Sequence, residues 1–81
     1  MTPEQLIKAL AALDVEGTPV HQEHAVNVWR PGNNRVPWTT VWLWRGGVKW
    51  GDNYQHHAPY STRPEVLAKL VLASMGDAED G

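Results

Sequence analysis

All five tryptophans (29, 38, 42, 44 and 50), both tyrosines and all four histidines fall between residues 20 and 63, alongside Arg30, Arg35, Arg45, Lys49 and Arg63. Indole rings interleaved with cations suit three kinds of chemistry. They can stack on the bases of single-stranded nucleic acid while the cations pair its phosphates. They can lie flat against sugar rings or another small ligand. They can also anchor a protein contact, because Trp and Arg are the types most enriched at interface hot spots. Against these stands a purely structural use, in which Trp fills a core that has no Phe and Lys49 over Trp44 is an ordinary cation–π pair.

Other constellations are weaker. His21, His24, His56 and His57 would need to converge on one point to hold zinc. In extended chain, His21 and His24 diverge, as do the adjacent His56 and His57, so neither a metal nor a cofactor is expected. Asp52, His56 or His57, and Ser61 are the residue types of a nucleophilic triad, but no nucleophile elbow or Gly-rich oxyanion loop accompanies them. No phosphate-binding loop is present. The expectation is a non-catalytic protein.

The chain has 81 residues, one domain's worth, with seven Lys+Arg against nine Asp+Glu and a formal net charge of −2. An overall polybasic nucleic-acid or membrane-surface protein is therefore excluded. The modest total hides a polarity. Residues 20–63 hold the five cations above against Glu23 and Asp52, a net of +3 between two acidic ends. There is no cysteine, so there is no disulfide framework or thiol chemistry. The opening Met1-Thr2-Pro3-Glu4-Gln5 lacks a signal-peptide pattern, and no apolar run reaches the ~18 residues of a membrane span. Cytoplasmic localisation without membrane attachment is expected.

Positioning the aromatic residues requires a scaffold, and the periodicities supply one. Thr2, Pro3 and Gln5 form a capping box opening a helix, with Leu6, Ile7, Leu10 and Leu13 as its stripe and Gly17 as its stop. A second helix starts at a Thr62/Glu65 box with Pro64 in its first turn. Val66, Leu67, Leu70, Val71 and Ala73 form its stripe and Gly76 is its stop, leaving 77–81 as a short acidic, disordered tail after a single 1–76 domain. Between them the period is two. Strands are predicted at Val20–Trp29, Thr39–Arg45 and Val48–Asn53, with a type II turn at Pro31-Gly32 and a hairpin at Gly46-Gly47. Gln55–Ser61 reads as a connector.

The resulting α-β-β-β-α order resembles that of the double-stranded-RNA-binding domain. The resemblance is one of topology: where that family carries a basic cluster at the start of its last helix, this chain reads Ser61-Thr62-Arg63-Pro64-Glu65. RNA binding is not implied by it.

A Gly46-Gly47 turn sets Arg45 opposite Val48 and Trp44 opposite Lys49. Val41, Leu43, Val48 and Trp50 then share the face that two amphipathic helices would cover. Thr40, Trp42, Trp44, Lys49 and Asn53, with Trp29 alongside, take the other face. The expected architecture is α+β, two helices on one side of a three-stranded antiparallel sheet. Its uncovered face would be an exposed apolar patch of the kind that marks binding or self-association. The expected function is a small interaction or regulatory module contacting a protein partner or a second copy. The residues expected to carry it are Trp29, Trp42, Trp44 and Lys49, with Arg30, Arg35 and Trp38 from the 30–37 loop. A nucleic-acid-binding accessory protein using the same face and loop is the alternative, followed by carbohydrate or small-ligand binding on the Trp platform.

Overall fold

The structure is a computed structural model describing residues 1–20, 24–33 and 35–80, with the side chains of 76–80 excepted. Helix α1 (Pro3–Ala11) begins as its sequence dictates. The Gln5 N–H donates to Thr2 Oγ1 at 3.3 Å and the Thr2 N–H to Gln5 Oε1 at 2.9 Å, satisfying two amides that the first turn leaves orphaned. Leu6 and Leu10 are its buried residues. The helix does not run to Gly17. Its end is closed by Asp14 in the left-handed region (φ 60), with Val15 N–H donating to the Leu10 carbonyl and Asp14 N–H to that of Ala11. This is the Schellman pattern, with Asp in the position glycine usually takes and with Val15 and Leu10 both buried as its apolar clasp.

Five strands follow, where the sequence predicts three. β1 (Glu16–Pro19), β2 (Ala25–Trp29), β3 (Thr39–Trp44), β4 (Gly47–Trp50) and β5 (His56–Ala58) form one sheet in sequential order, every neighbour antiparallel. Gly17 sits inside β1 for a packing reason. A Cβ there would stand 2.9 Å from Leu10 Cδ1 and 3.2 Å from Val26 Cγ1, so only glycine lets the strand pass beneath α1. The predicted strand over 20–29 keeps its second half. His21, Gln22 and Glu23 lie outside the described residues, as does Asn34. The predicted connector 55–61 contains β5. Both edge strands are short; β1 ends on Pro19, and Pro59 follows β5, which blunts the edges against further pairing. The α-β-β-β-α order is thus replaced by two helices flanking a five-stranded meander, and the resemblance to the RNA-binding domain loses the order on which it rested.

The β3–β4 register also differs from expectation. The two-residue turn is Arg45-Gly46, so Trp44 pairs with Gly47 (φ +145), Leu43 with Val48 and Trp42 with Lys49. Relative to the predicted pairing the strands are slipped by two residues, and a two-residue slip preserves which face each side chain occupies.

Helix α2 (Pro64–Asp80) starts at Pro64, one residue later than a Thr62 cap requires, and no Thr62–Glu65 box forms. Its backbone remains helical past Gly76, the expected stop. Its buried positions are Leu67, Ala68, Val71 and Met75, with Leu72 half-buried, whereas Val66 and Leu70 of the predicted stripe are exposed. The buried stripe is therefore rotated from the predicted one, with Met75 extending it a turn further. Both helices cover the same side of the sheet, where Val26, Val28, Val41, Leu43, Val48 and Trp50 complete the core with Leu6, Leu10 and the α2 stripe. Trp50 ties the two layers together: its ring is buried and its indole N–H donates to Ser74 Oγ at 2.8 Å, which in turn donates to the Val71 carbonyl at 2.7 Å. Among the described residues no helix is long and apolar enough to cross a membrane.

Candidate functional site: the open face of the sheet

The side of the sheet away from the helices is assembled strand by strand. Pairing of Ala25 with Trp42, Trp42 with Lys49 and Lys49 with His57 places these four in one row across β2 to β5. Thr18, Asn27 and Thr40 form a second row, and Glu16 with Trp29 a third. Alternation accounts for this composition, because the intervening residues Val26, Val28, Val41, Leu43, Val48 and Trp50 are all buried on the helix side.

Within the face, aromatic rings form a contiguous cluster. Trp42 and Trp44 stack with centroids 5.5 Å apart and planes 26° from parallel, and Tyr54 meets Trp44 edge-on at 5.9 Å. Lys49 Nζ lies 5.6 Å from the centre of the Trp44 ring. Trp44 remains 40% exposed and Tyr54 48%. Ala25, opposite Trp42, is buried even though it lies on this open face.

The five tryptophans divide by what their indole N–H does. Trp50 donates to Ser74 and Trp29 to Thr18 Oγ1 at 2.9 Å, each held by a neighbouring hydroxyl. No hydrogen bond holds the indole N–H of Trp38, Trp42 or Trp44 among the described residues; the half-buried Trp38 and Trp42 leave no buried indole nitrogen without a partner, so their donors reach solvent, and Trp44 is itself exposed. An indole is a donor with no acceptor capacity. The open face thus presents rings for apolar contact and three N–H groups for a partner's oxygens.

The remaining expected site residues lie around this cluster. Trp29 belongs to the open face by register, at the β1 side of the sheet. Arg30 lies with its guanidinium carbon 5.2 Å from the centre of the Trp38 ring, and Trp38 is itself half-buried and packs partly against the core cluster. The backbone holds Trp38 in place, its N–H donating to the Val28 carbonyl at 2.7 Å. The predicted type II turn forms: Gly32 has φ +83 and Asn33 N–H reaches the Arg30 carbonyl at 3.0 Å. Arg35 is exposed in the same loop, its backbone N–H on Asn33 Oδ1 at 3.1 Å, and no contact brings its guanidinium to the Trp42–Trp44 cluster. Asn53 does not extend β4; it sits in a single 3-10 turn, Asp52–Tyr54.

That turn carries two residues that strand periodicity does not reveal, Asp52 and Tyr54. Asn53 (φ 56) and Tyr54 (φ 55) are both left-handed, the second costly for a bulky side chain. Gly51, at φ +88, opens the turn, and a Cβ there would lie 2.7 Å from His56 Cδ2. The chain reverses after Trp50 through this turn, and Tyr54 is delivered to Trp44. Gly51→Ala is expected to cost about 2–4 kcal/mol, combining left-handed strain with overpacking against His56. Urea denaturation measures that loss, and near-UV circular dichroism follows the accompanying change at Tyr54 and Trp44.

The triad residue types are not assembled. Asp52 lines a hollow on the open face and His57 shares that face beside Lys49, whereas His56 lies on the helix side, stacked on Trp50 at 5.7 Å. No hydrogen bond among the described residues links Asp52, either of these histidines and Ser61. Among the described residues no three of His, Asp and Glu group to hold a metal; His21 lies outside them. Compared with protein-family models, curated proteins and solved structures, the chain matches none.

Proposed function

We propose that the chain is a small non-catalytic interaction module that uses the open sheet face to contact a protein partner or a second copy of itself. The observation that supports this most is the Trp42–Trp44–Tyr54 cluster on the face without helices, with Trp44 and Tyr54 exposed. Both helices are committed to the opposite face, which leaves Trp44 and Tyr54 exposed and Trp42 half-buried among the described residues. Residues of this kind in a rigid sheet meet the requirements of interface anchors, with large contact area and little rotamer entropy to lose. The cation beside the rings, Lys49, favours an acidic group on the partner next to it.

Two measurements test this. Light scattering across a concentration series reports self-association, which Trp44→Ser is expected to abolish. If the chain stays monomeric, a photo-crosslinking side chain at position 44 is expected to capture a discrete partner in cells, while the same probe at Lys69 on α2 captures none. A chain that is monomeric and yields no adduct specific to position 44 contradicts a binding role for this face. Nucleic-acid binding is a distinct outcome, recognised by affinity for single strands that falls as salt rises.

A further inference from the structure

One hollow on the open face has a composition that selects a ligand. A hollow of about 400 Å³ is lined by Trp38, Trp42, Asp52, Asn53 and Tyr54, together with Thr39, Thr40 and Gly51. Three of these residues are aromatic, and the one charged group among them is the Asp52 carboxylate. No hydrogen bond or ion pair engages that carboxylate among the described residues. The Thr40 hydroxyl is already committed, donating to Asn27 Oδ1 at 2.7 Å. The hollow therefore offers the negative faces of aromatic rings and one unpaired negative charge, and no basic side chain lines it.

We infer that this cavity receives a cationic side chain, lysine or arginine, from the protein partner. Aromatic faces attract cations through their quadrupole, and the attraction is strongest for Trp and where the cation is partly desolvated. The neighbouring rings already behave in this way: Trp44 holds Lys49 and Trp38 holds Arg30, each within 6 Å of the ring centre. Arg30 lines a separate hollow with Asp14, Glu16 and Trp29. Trp42 and Tyr54, by contrast, carry no cation of the protein's own among the described residues. Asp52 supplies the counter-charge that distinguishes a cation from a neutral ligand, and the short, strained turn at 51–54 fixes its position beside the rings. Two cations of the chain stand close by, Lys49 across from Trp42 and Arg30 on the ring of Trp38, and their repulsion is what the unpaired Asp52 carboxylate offsets; charges beyond about 8 Å are screened at physiological salt.

This inference rests on partner binding through the open face, and its test is separable from that one. The labelled chain is titrated with acetyl-Gly-Arg-Gly-amide and acetyl-Gly-Lys-Gly-amide while the backbone and indole N–H resonances are followed. Acetyl-Gly-Gln-Gly-amide and glucose serve as neutral controls. Saturable shifts at Trp38, Trp42 and residues 52–54 are expected with the two cationic peptides and not with the controls. Asp52→Asn, which keeps the turn's hydrogen-bonding shape, is expected to weaken that binding roughly two- to fivefold, and Trp42→Leu to weaken it about tenfold or more. Equal binding of the neutral probes, an unchanged affinity in Asp52→Asn, or no saturable shift overturns the cation assignment. A chain that assembles or crosslinks through position 44 yet ignores the cationic peptides retains the interface and loses the cation site. One that binds the cations without any partner contact retains the site and loses the interface.

Discussion

Trp50→Ala is expected to leave little of the chain folded at 37 °C. The ring is 3% exposed and belongs to the core between sheet and helices. Its truncation removes a large apolar volume, for which core Trp→Ala changes cost about 3–5 kcal/mol. It also leaves the Ser74 hydroxyl without the indole donor and removes the stacking partner of His56. A domain of this length has on the order of 4–12 kcal/mol to lose, so the substitution consumes much of the total. Thermal or urea unfolding by far-ultraviolet circular dichroism measures it. A variant whose midpoint is unchanged would mean that Trp50 is not in the core.

Trp44→Ser is expected to do the opposite, sparing the fold and removing the contact. The residue is on the face without helices, so its loss forfeits only the stacking with Trp42, the edge contact with Tyr54 and the Lys49 pair. Such surface contacts are worth about 1 kcal/mol together once solvent screening of the cation is allowed for. At an interface, by contrast, truncating a central Trp typically costs 2 kcal/mol or more, a roughly thirtyfold loss of affinity. The two tryptophans, six residues apart in sequence, thus predict opposite phenotypes: one variant unfolds, the other folds and fails to associate. Measuring stability and association on both proteins separates the two roles. A Trp44→Ser chain that loses as much stability as Trp50→Ala would place both rings in one core.

The division between these rings was legible in the sequence because it depends on parity alone. Val41, Leu43, Val48 and Trp50 alternate with Thr40, Trp42, Trp44 and Lys49. The hairpin closes at Arg45-Gly46 instead of Gly46-Gly47, but that moves the register by two residues and exchanges nothing between faces. The first capping box was equally legible, since Thr2 and Gln5 satisfy each other locally. The edge strands were not. Glu16–Pro19 and His56–Ala58 are four and three residues long, too short to show a period, and their Gly, Pro and His residues read as turn chemistry. They are strands because β2 and β4 offer them unpaired backbone groups, a tertiary reason. The α2 stripe was misplaced because Ala68 and Met75 are weaker apolar signals than Val66 and Leu70, yet only the former face the sheet and α1. The placement of Tyr54 and Asp52 beside the rings was not legible, because it depends on consecutive left-handed residues at 53 and 54, which no side-chain pattern announces.

The central claim, that Trp42 and Trp44 belong to a surface built for contact while Trp50 belongs to the core, is tested most directly by solvent exchange of the five indole N–H protons in dilute solution. Trp50 is predicted to exchange slowest and Trp29 to show intermediate protection, each held by a hydroxyl acceptor. Trp38, Trp42 and Trp44 are predicted to exchange rapidly. Strong protection of Trp42 and Trp44 in the dilute monomer would show that the chain covers this face itself, and would contradict its role as a binding surface.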